Sequence, residues 1–497
     1  MKERNTGFLV EEIEIDFGRQ GIRKISLLGE NAERNRTHFT LVAGANGTSK
    51  SRILAKLVEH LTQIWAGESE DRPRPVATRA YGITCRSLKV VANNSVHQFF
   101  RDQKEDSSDV EDSSDIADFL PSRILVLSNL VMDKFHFVRG EQFDESFYHY
   151  LGVRQASNLT TTGSIERSVS EAILRMMGEP ERLADFDAWI DLVFGRLVQI
   201  GLGFQRLRLR PFEELLRANA PEKFVRDLLE SKGRRVEEAD LEKLVTALIE
   251  IAKFLVPLLA DRAARASKVG TKRVDLLLAH SLDPQARRRL SEIAMFFPAA
   301  ARAGLSVWPE IYFESDELLP FGQLSSGEQN LLSVGAKLIA HAMPGSLIVI
   351  DEPEVSLNVV WQQQYIDLIE RSLRHAKRSH VLIATHSPHL IASLPRGEAS
   401  VVLAKREEQG LQFVTEDATY QGWGSESVLY HVLEIPSTST FHLNREIAEV
   451  LRHVQEGGKN KSLIDSFLQT MSRLNYKGIE PLELVVEEVK RYSETLE

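Results

Sequence analysis

Eight consecutive residues, Gly44-Ala45-Asn46-Gly47-Thr48-Ser49-Lys50-Ser51, have the types and order of a loop that holds phosphate. Backbone N–H groups of Asn46, Gly47, Thr48 and Ser49 would surround the anion. Lys50 would reach its outer oxygens and the Ser51 hydroxyl would hold Mg²⁺. A helix beginning here adds the positive end of its dipole to the same anion. The pattern GxxxxGK[ST] expects Gly at position 49, where this chain has Ser. Glycine permits an unusual backbone angle and close approach to phosphate, so Ser49 is expected to weaken binding or turnover. Alone, such a stretch also fits an ordinary strand-to-helix turn.

Three further stretches carry chemistry. Ser346-Leu347-Ile348-Val349-Ile350-Asp351-Glu352 is an apolar strand ending in two carboxylates. Asp351 would hold Mg²⁺ through water, and Glu352 would polarise an attacking water; the plainer alternative is an acidic strand cap before Pro353. Leu324-Ser325-Ser326-Gly327-Glu328-Gln329 is a small-residue loop leading into a helix. It is either a second anion site or simply an N-cap made by Ser325 or Ser326. Val381-Leu382-Ile383-Ala384-Thr385-His386 is a buried-looking strand ending in a His that would contact a terminal phosphate and report its loss. A lone strand-end His is otherwise structural, and no third ligand completes a metal pair of His386 with His389.

Each stretch is ambiguous by itself, but their order is informative. Phosphate loop, signature, Walker B, the Ser356-Leu357-Asn358 D-loop and the switch His follow one another as in ABC-type ATPases. The chain resembles that class, and in particular its RecF- and SMC-like members. The resemblance implies ATP and Mg²⁺ as cofactors, held by Asn46, Gly47, Thr48, Ser49, Lys50 and Ser51, with Ser51 and Asp351 on the metal. Glu352 and His386 are then catalytic. Ser325 and Gly327 dock on the γ-phosphate of a second copy, which implies a homodimer or a dimer of dimers.

The long stretch from Ser51 to Leu324 disfavours a transporter nucleotide-binding domain, and a single cysteine (Cys85) excludes a zinc-hook protein. The absence of a D-x-D motif after Leu403 argues against a fused TOPRIM nuclease. A closer resemblance is to RecF-like ATPases of bacterial antiphage islands, of the Septu (PtuA) type. Residues 122–129 running to Asp133-Lys134-Phe135, Tyr148-His149-Tyr150-Leu151-Gly152, and the turn Gly422-Trp423-Gly424 that opens a helix ending near Ile435-Pro436-Ser437 carry it. Leu357-Asn358-Val359 stands where those relatives often read Leu-His-Pro. The resemblance implies an ATPase subunit that controls a separately encoded effector, often a nuclease. Two alternatives remain open: a RecF-like DNA-repair ATPase, and a scaffold that binds ATP with little turnover.

The elements that must position these residues read as an α/β fold, a two-lobed ATPase head with an inserted helical region and a helical C-terminal tail. Residues 1–150 are expected to form the N-lobe, with strands at Phe8-Leu9-Val10, Ile13-Glu14-Ile15 and 37–43, then a helix over 51–66. Residues 151–302 are expected to be a helical insertion, with helices over 184–197, 212–229, 236–259 and 284–297. The C-lobe spans 303–410, with strands at Ser306-Val307-Trp308 and Ile311-Tyr312-Phe313, and 411–497 is the mostly helical tail. Between 251 and 300 nine Lys/Arg stand against four Asp/Glu. They include Arg262, Arg265, Lys268, Lys272, Arg273 and Arg287-Arg288-Arg289, a basic helical face that allows DNA as a partner or is an ordinary solvated surface. Arg206, Arg208 and Arg210 would share one face of a strand. The acidic, Ser-rich stretch 102–118 reads as a solvated loop.

The 497 residues imply two or three structural units, and the net charge of -10 argues against blanket adhesion to nucleic acid. No apolar run approaches the roughly 20 residues that span a bilayer, and the first residues do not read as a signal peptide. One cysteine fits a reducing, cytoplasmic setting, where the sequon at Asn158 has no meaning.

Overall fold

The computed structural model describes residues 7–67, 77–101, 116–130, 132–136, 147–152, 162–204, 207–260, 265–269, 272–315, 317–395, 399–407, 410–434, 441–474, 476 and 480–495. Residues 102–115 of the acidic stretch, Asn158, Arg206, Arg262 and the Ile435-Pro436-Ser437 segment lie outside them.

Runs such as Leu347-Ile348-Val349-Ile350 leave no polar face, so their strands must be covered on both sides. They form a seven-stranded sheet in the order β16 (Gly410–Asp417), β15 (Ala399–Glu407), β3 (His38–Gly44), β14 (His380–Thr385), β13 (Leu347–Asp351), β6 (Ile124–Ser128) and β7 (Tyr148–Tyr150). All neighbours are parallel except β15 with β16. Alternation along each strand assigns two cores. Val42, Val126, Val349 and Leu382 face α1 (Lys50–Gly67) and a four-stranded antiparallel sheet. That sheet runs β2 (Ile22–Ser26), β1 (Phe8–Asp16), β4 (Thr84–Ala92), β5 (Ser95–Phe100). Leu41, Leu127, Ile350 and Ile383 face the opposite way, into a core shared with α2 (Thr162–Met176), α3 (Pro180–Phe194), α9 (Ser326–His341) and α10 (Val359–Ser372).

A histidine joins the two sheets. His380 Nδ1 accepts the Val10 N–H at 2.9 Å, and its Nε2 lies 2.9 Å from Thr40 Oγ1, which itself donates to the Leu27 carbonyl. Thr40 has spent its proton on Leu27, so Nε2 must be the donor and the ring is neutral. His38 packs edge-on against it and meets Ser400 Oγ at 2.9 Å.

The region 151–302 departs from the helical expectation. It holds α2, α3, α4 (Arg210–Arg217), α5 (Pro221–Ser231), α6 (Glu238–Ala260), α7 (Pro284–Ala294) and α8 (Phe297–Arg302). It also holds β8 (Gln199–Gly203), β9 (Arg265–Val269) and β10 (Lys272–Leu278). With β11 (Glu310–Glu314) and β12 (Leu318–Pro320) these make a five-stranded antiparallel sheet, ordered β12-β11-β8-β10-β9. The sheet therefore draws strands from both sides of residue 302. Strands this short offer only a few alternating positions, and the flanking 3.6-residue periodicity hid them. Ser306-Val307-Trp308 is not in a strand.

The basic face is not formed as a helix either. Arg265 and Lys268 lie on β9, Lys272 and Arg273 on β10. On α7, Arg288 and Arg289 pair with Glu292, and Arg289 also pairs with Glu250 at 2.5 Å. Arg210 opens α4 and Arg208 precedes it outside any strand, so these two do not share a strand face. At the C-terminal end, β16 belongs to the seven-stranded sheet. Helix α11 (Pro388–Ala392) precedes β15, and after β16 come α12 (Ser425–His431), α13 (Phe441–Gln455), α14 (Lys461–Arg473) and α15 (Glu480–Glu494), the last three closing over a core of Leu443, Ile464, Phe467 and Val489. Among the described residues no helix is long and apolar enough to cross a membrane.

Burial holds the His38 ring down to about 4 from 6.5, and His380 well below its ordinary value. The unfolded chain takes up protons below pH 6.5 that the folded chain excludes, so stability falls as pH drops through that window. His38 alone should cost about 2 to 3 kcal/mol at pH 4.5. Urea unfolding at pH 7.5 and 4.5 checks this: His38→Gln should show a smaller acid loss than the parent, and equal losses would contradict it.

Candidate functional site

In an open parallel sheet, ligand chemistry collects beyond the carboxyl ends of the strands. Here the phosphate loop leaves β3, Asp351 ends β13 and His386 follows β14, with β14 lying between the other two. Ser51, in the first turn of α1, donates its hydroxyl to Asp351 Oδ1 at 2.6 Å. Two stretches separated by 300 positions in the chain thus meet at one hydrogen bond.

The loop itself is self-braced. Lys50 is buried and its Nζ donates to the carbonyls of Gly44 at 2.9 Å and Ala45 at 3.1 Å. Burial lowers its pKa, while Glu352, Glu354 and Asp351 push it back up. Thr48 Oγ1 donates to the Ala45 carbonyl at 2.8 Å, and Asn46 is exposed at the tip. Gly47 has φ 82° and Ser49 φ 67°, so Ser49 holds the left-handed angle for which the common pattern supplies glycine. Arg52 Nη1 donates to Ser49 Oγ at 3.3 Å, and Arg406, from β15, donates to the Gly47 carbonyl at 3.1 Å.

Asp351 is fully buried, and desolvation pushes its carboxyl up to about 7 against the opposing Ser51 bond; Glu352, Asp133 and Glu354 raise it further. Its Oδ2 is buried without a hydrogen-bond partner among the described residues. A hydroxyl beside an under-satisfied carboxylate, in a site with surplus negative charge, suits a hard divalent cation such as Mg²⁺. Among the described residues no group of three or more His, Cys, Asp or Glu is placed to cage a metal. A cation here would therefore complete its shell with phosphate oxygens and water. Glu352 is half-buried at φ 48°, and its backbone N–H donates to the Ala384 carbonyl at 2.9 Å.

The signature lies elsewhere. Ser325 is the N-cap of α9 in a capping box: its Oγ accepts the Glu328 N–H at 3.3 Å while Glu328 Oε2 accepts the Ser325 N–H at 2.8 Å. A Cβ at Gly327 would come within 2.5 Å of the Trp361 ring and 2.9 Å of the Ser356 carbonyl, so only glycine fits. The signature thus packs on its own D-loop, where Ser356 has φ 73° and Asn358 caps α10. Helix α9 packs on α2, α3 and α10, whereas α1 packs on β3, β4 and β14.

Two residues went unnoticed in the sequence. Arg406 gave no local sign, since it lies in a plain strand far down the chain. Glu354 was hidden in the acidic run Asp351-Glu352-Pro353-Glu354, yet it is buried and its Oε1 lies 3.1 Å from His386 Nδ1. That run was the available signal.

Residues 198–392, from β8 to α11, match the family model described as "AAA domain, putative AbiEii toxin, Type IV TA system". This segment, similar to that AAA domain, carries the signature, the Asp351-Glu352 pair and His386. A curated relative, the cytochrome c biogenesis ATP-binding export protein CcmA of Rhizobium johnstonii, is 39% identical over 70 residues. The match spans 14% of this chain and 30% of that protein. Among solved structures, the Smc head domain of Pyrococcus furiosus, bound to the C-terminal domain of ScpA, is similar with a TM-score of 0.34 and 13% identity, over 82% of this chain and 96% of that one. The SMC head domain of Thermotoga maritima is similar with a TM-score of 0.31 and 11% identity, over 82% and 98% respectively.

A non-glycine residue in the left-handed region costs roughly 1–2 kcal/mol, partly offset by the extra entropy glycine loses on folding. Ser49→Gly should therefore raise the unfolding free energy by up to about 1 kcal/mol, read as a higher urea midpoint. A lower midpoint would show that the Arg52 contact outweighs the strain.

Proposed function

We propose that the chain is an ATP-hydrolysing regulatory subunit whose catalytic site is completed by the signature of a second copy. The observation that carries this reading is the convergence of Lys50, Ser51, Asp351 and Glu352 at the strand ends while Ser325 and Gly327 sit on a different helix face. The geometry supports a division of labour. Backbone N–H groups of 46–51 and Lys50 would grip the phosphates, and Ser51 with Asp351 would hold Mg²⁺. Bound there, the cation would neutralise charge on the β- and γ-oxygens. Glu352 would accept a proton from water as its oxygen bonds to the γ-phosphorus and the β–γ bridging oxygen leaves with ADP. His386 Nε2 would meet the terminal phosphate.

On the resemblance to RecF-like ATPases of antiphage islands, this subunit would govern an effector made separately, such as a nuclease. A second reading, ATP bound as structural glue with little turnover, is favoured by the left-handed Ser49.

Steady-state ATP hydrolysis across a protein concentration series distinguishes them. Specific activity should rise with concentration and require Mg²⁺. Glu352→Gln should lower kcat by about 100-fold or more while ATP still binds. Tight binding without turnover at every concentration would instead establish the scaffold reading.

A further inference from the structure

One buried acid has no task in the scheme above. Glu354 lies two residues beyond Glu352 with its side chain only 6% exposed. Burying a carboxylate is costly unless hydrogen bonds offset it; its Oε2 is buried without a hydrogen-bond partner among the described residues, so Oε1 makes the bonds. Its Oε1 serves three donors on one strand end: the Thr385 hydroxyl at 2.8 Å, the His386 backbone N–H at 2.8 Å and the His386 ring at Nδ1, 3.1 Å away. A carboxylate oxygen only accepts, so Nδ1 carries the proton of this contact. The opposite ring nitrogen, Nε2, is left to face outward on a side chain that is 46% exposed.

We propose that Glu354 is a positioning residue for hydrolysis: it locks the His386 ring through Nδ1–H so that Nε2 is turned to the nucleotide's terminal phosphate, to which Nε2 donates once it too carries a proton. This rests on the ATPase reading given above. The physical logic is that of a carboxylate behind an imidazole, which selects one tautomer and one ring orientation at little entropic cost during reaction. The strand end is braced from its far side as well. The Ser387 N–H donates to Thr385 Oγ1 at 2.9 Å and Ser387 Oγ donates to Gln362 Oε1 at 2.7 Å. Gln362 Nε2 in turn donates to the Leu357 carbonyl at 2.9 Å. Those bonds join the residues on either side of the switch His to the D-loop that packs on Gly327, so the strand end is tied to the signature.

Two measurements test the assignment on the full-length protein. Nitrogen-15 NMR of histidine-labelled protein, with His386→Ala to identify the signal, should show neutral His386 as the Nδ1–H tautomer. A dominant Nε2–H tautomer in the parent protein would overturn the proposal, and this readout needs neither a Glu354 variant nor turnover. In kinetics, Glu354→Ala should lower kcat about 10- to 100-fold with the KM for ATP changed less than about twofold. Glu354→Gln, which keeps an acceptor oxygen, should lose less and remain folded if the alanine variant does not. In a His386→Ala background neither change should matter further; an equal loss in both backgrounds would show that Glu354 does not act through His386. A parent protein without turnover would defeat the ATPase reading itself, and the tautomer would then decide Glu354's hold on the ring separately.

Discussion

Asp351 lies at the carboxyl end of β13 with essentially no exposed surface, one oxygen on the Ser51 hydroxyl and the other without a hydrogen-bond partner among the described residues. An acid in that position is costly, and burial raises its pKa to about 7 for that reason. The surroundings make the arrangement tolerable only in part. Lys50 is close enough for its charge to be felt by three acids at once, but it spends its own hydrogen bonds on the loop that carries it. The site is therefore built around unmet electrostatic demand, which a divalent cation and a polyphosphate together would meet.

The rest of the fold can be understood as what keeps that demand in place. Strands β3, β14 and β13 are buried on both faces, so their ends cannot shift without disturbing two cores. The neutral ring of His380 fastens the N-terminal sheet at the far end of β14, and His38 beside it bonds Ser400 of β15. Uncharged imidazoles suit that position because they offer a donor and an acceptor without adding charge to the interior. Three strained residues lie beyond the opposite ends of the strands. Ser49, Glu352 and Ser356 all hold left-handed backbone angles, and all three border the loops on which the chemistry depends. Strained residues persist where the surrounding structure over-determines them, and here two packed cores do so.

The division between the phosphate loop and the signature has a similar origin. Helix α9 needs its N-terminus capped, and Ser325 with Glu328 does this locally. Gly327 is small because Trp361 and the Ser356 carbonyl occupy the space a side chain would take. The sequence pattern that resembles a γ-phosphate-docking signature is thus an N-cap and a close helix contact in the folded chain.

Local sequence determined the elements with strong patterns: the phosphate loop and its helix, the all-apolar strands ending at Asp351 and Thr385, and the order of the motifs between them. Those features depend on residue type and short-range periodicity, which a single chain displays directly. Tertiary structure decided what depends on distance in space. The five-stranded sheet assembles β8, β10 and β11 from segments whose individual patterns are too short to stand out among helices. Stretch 410–417 became a strand by pairing with β15, although its sequence looked like the start of a helical tail. The role of Glu354 could not be told from that of a surface acid until β14 brought His386 beside it. Burial and partners, not residue identity, make a carboxylate functional, and both are properties of the folded chain alone.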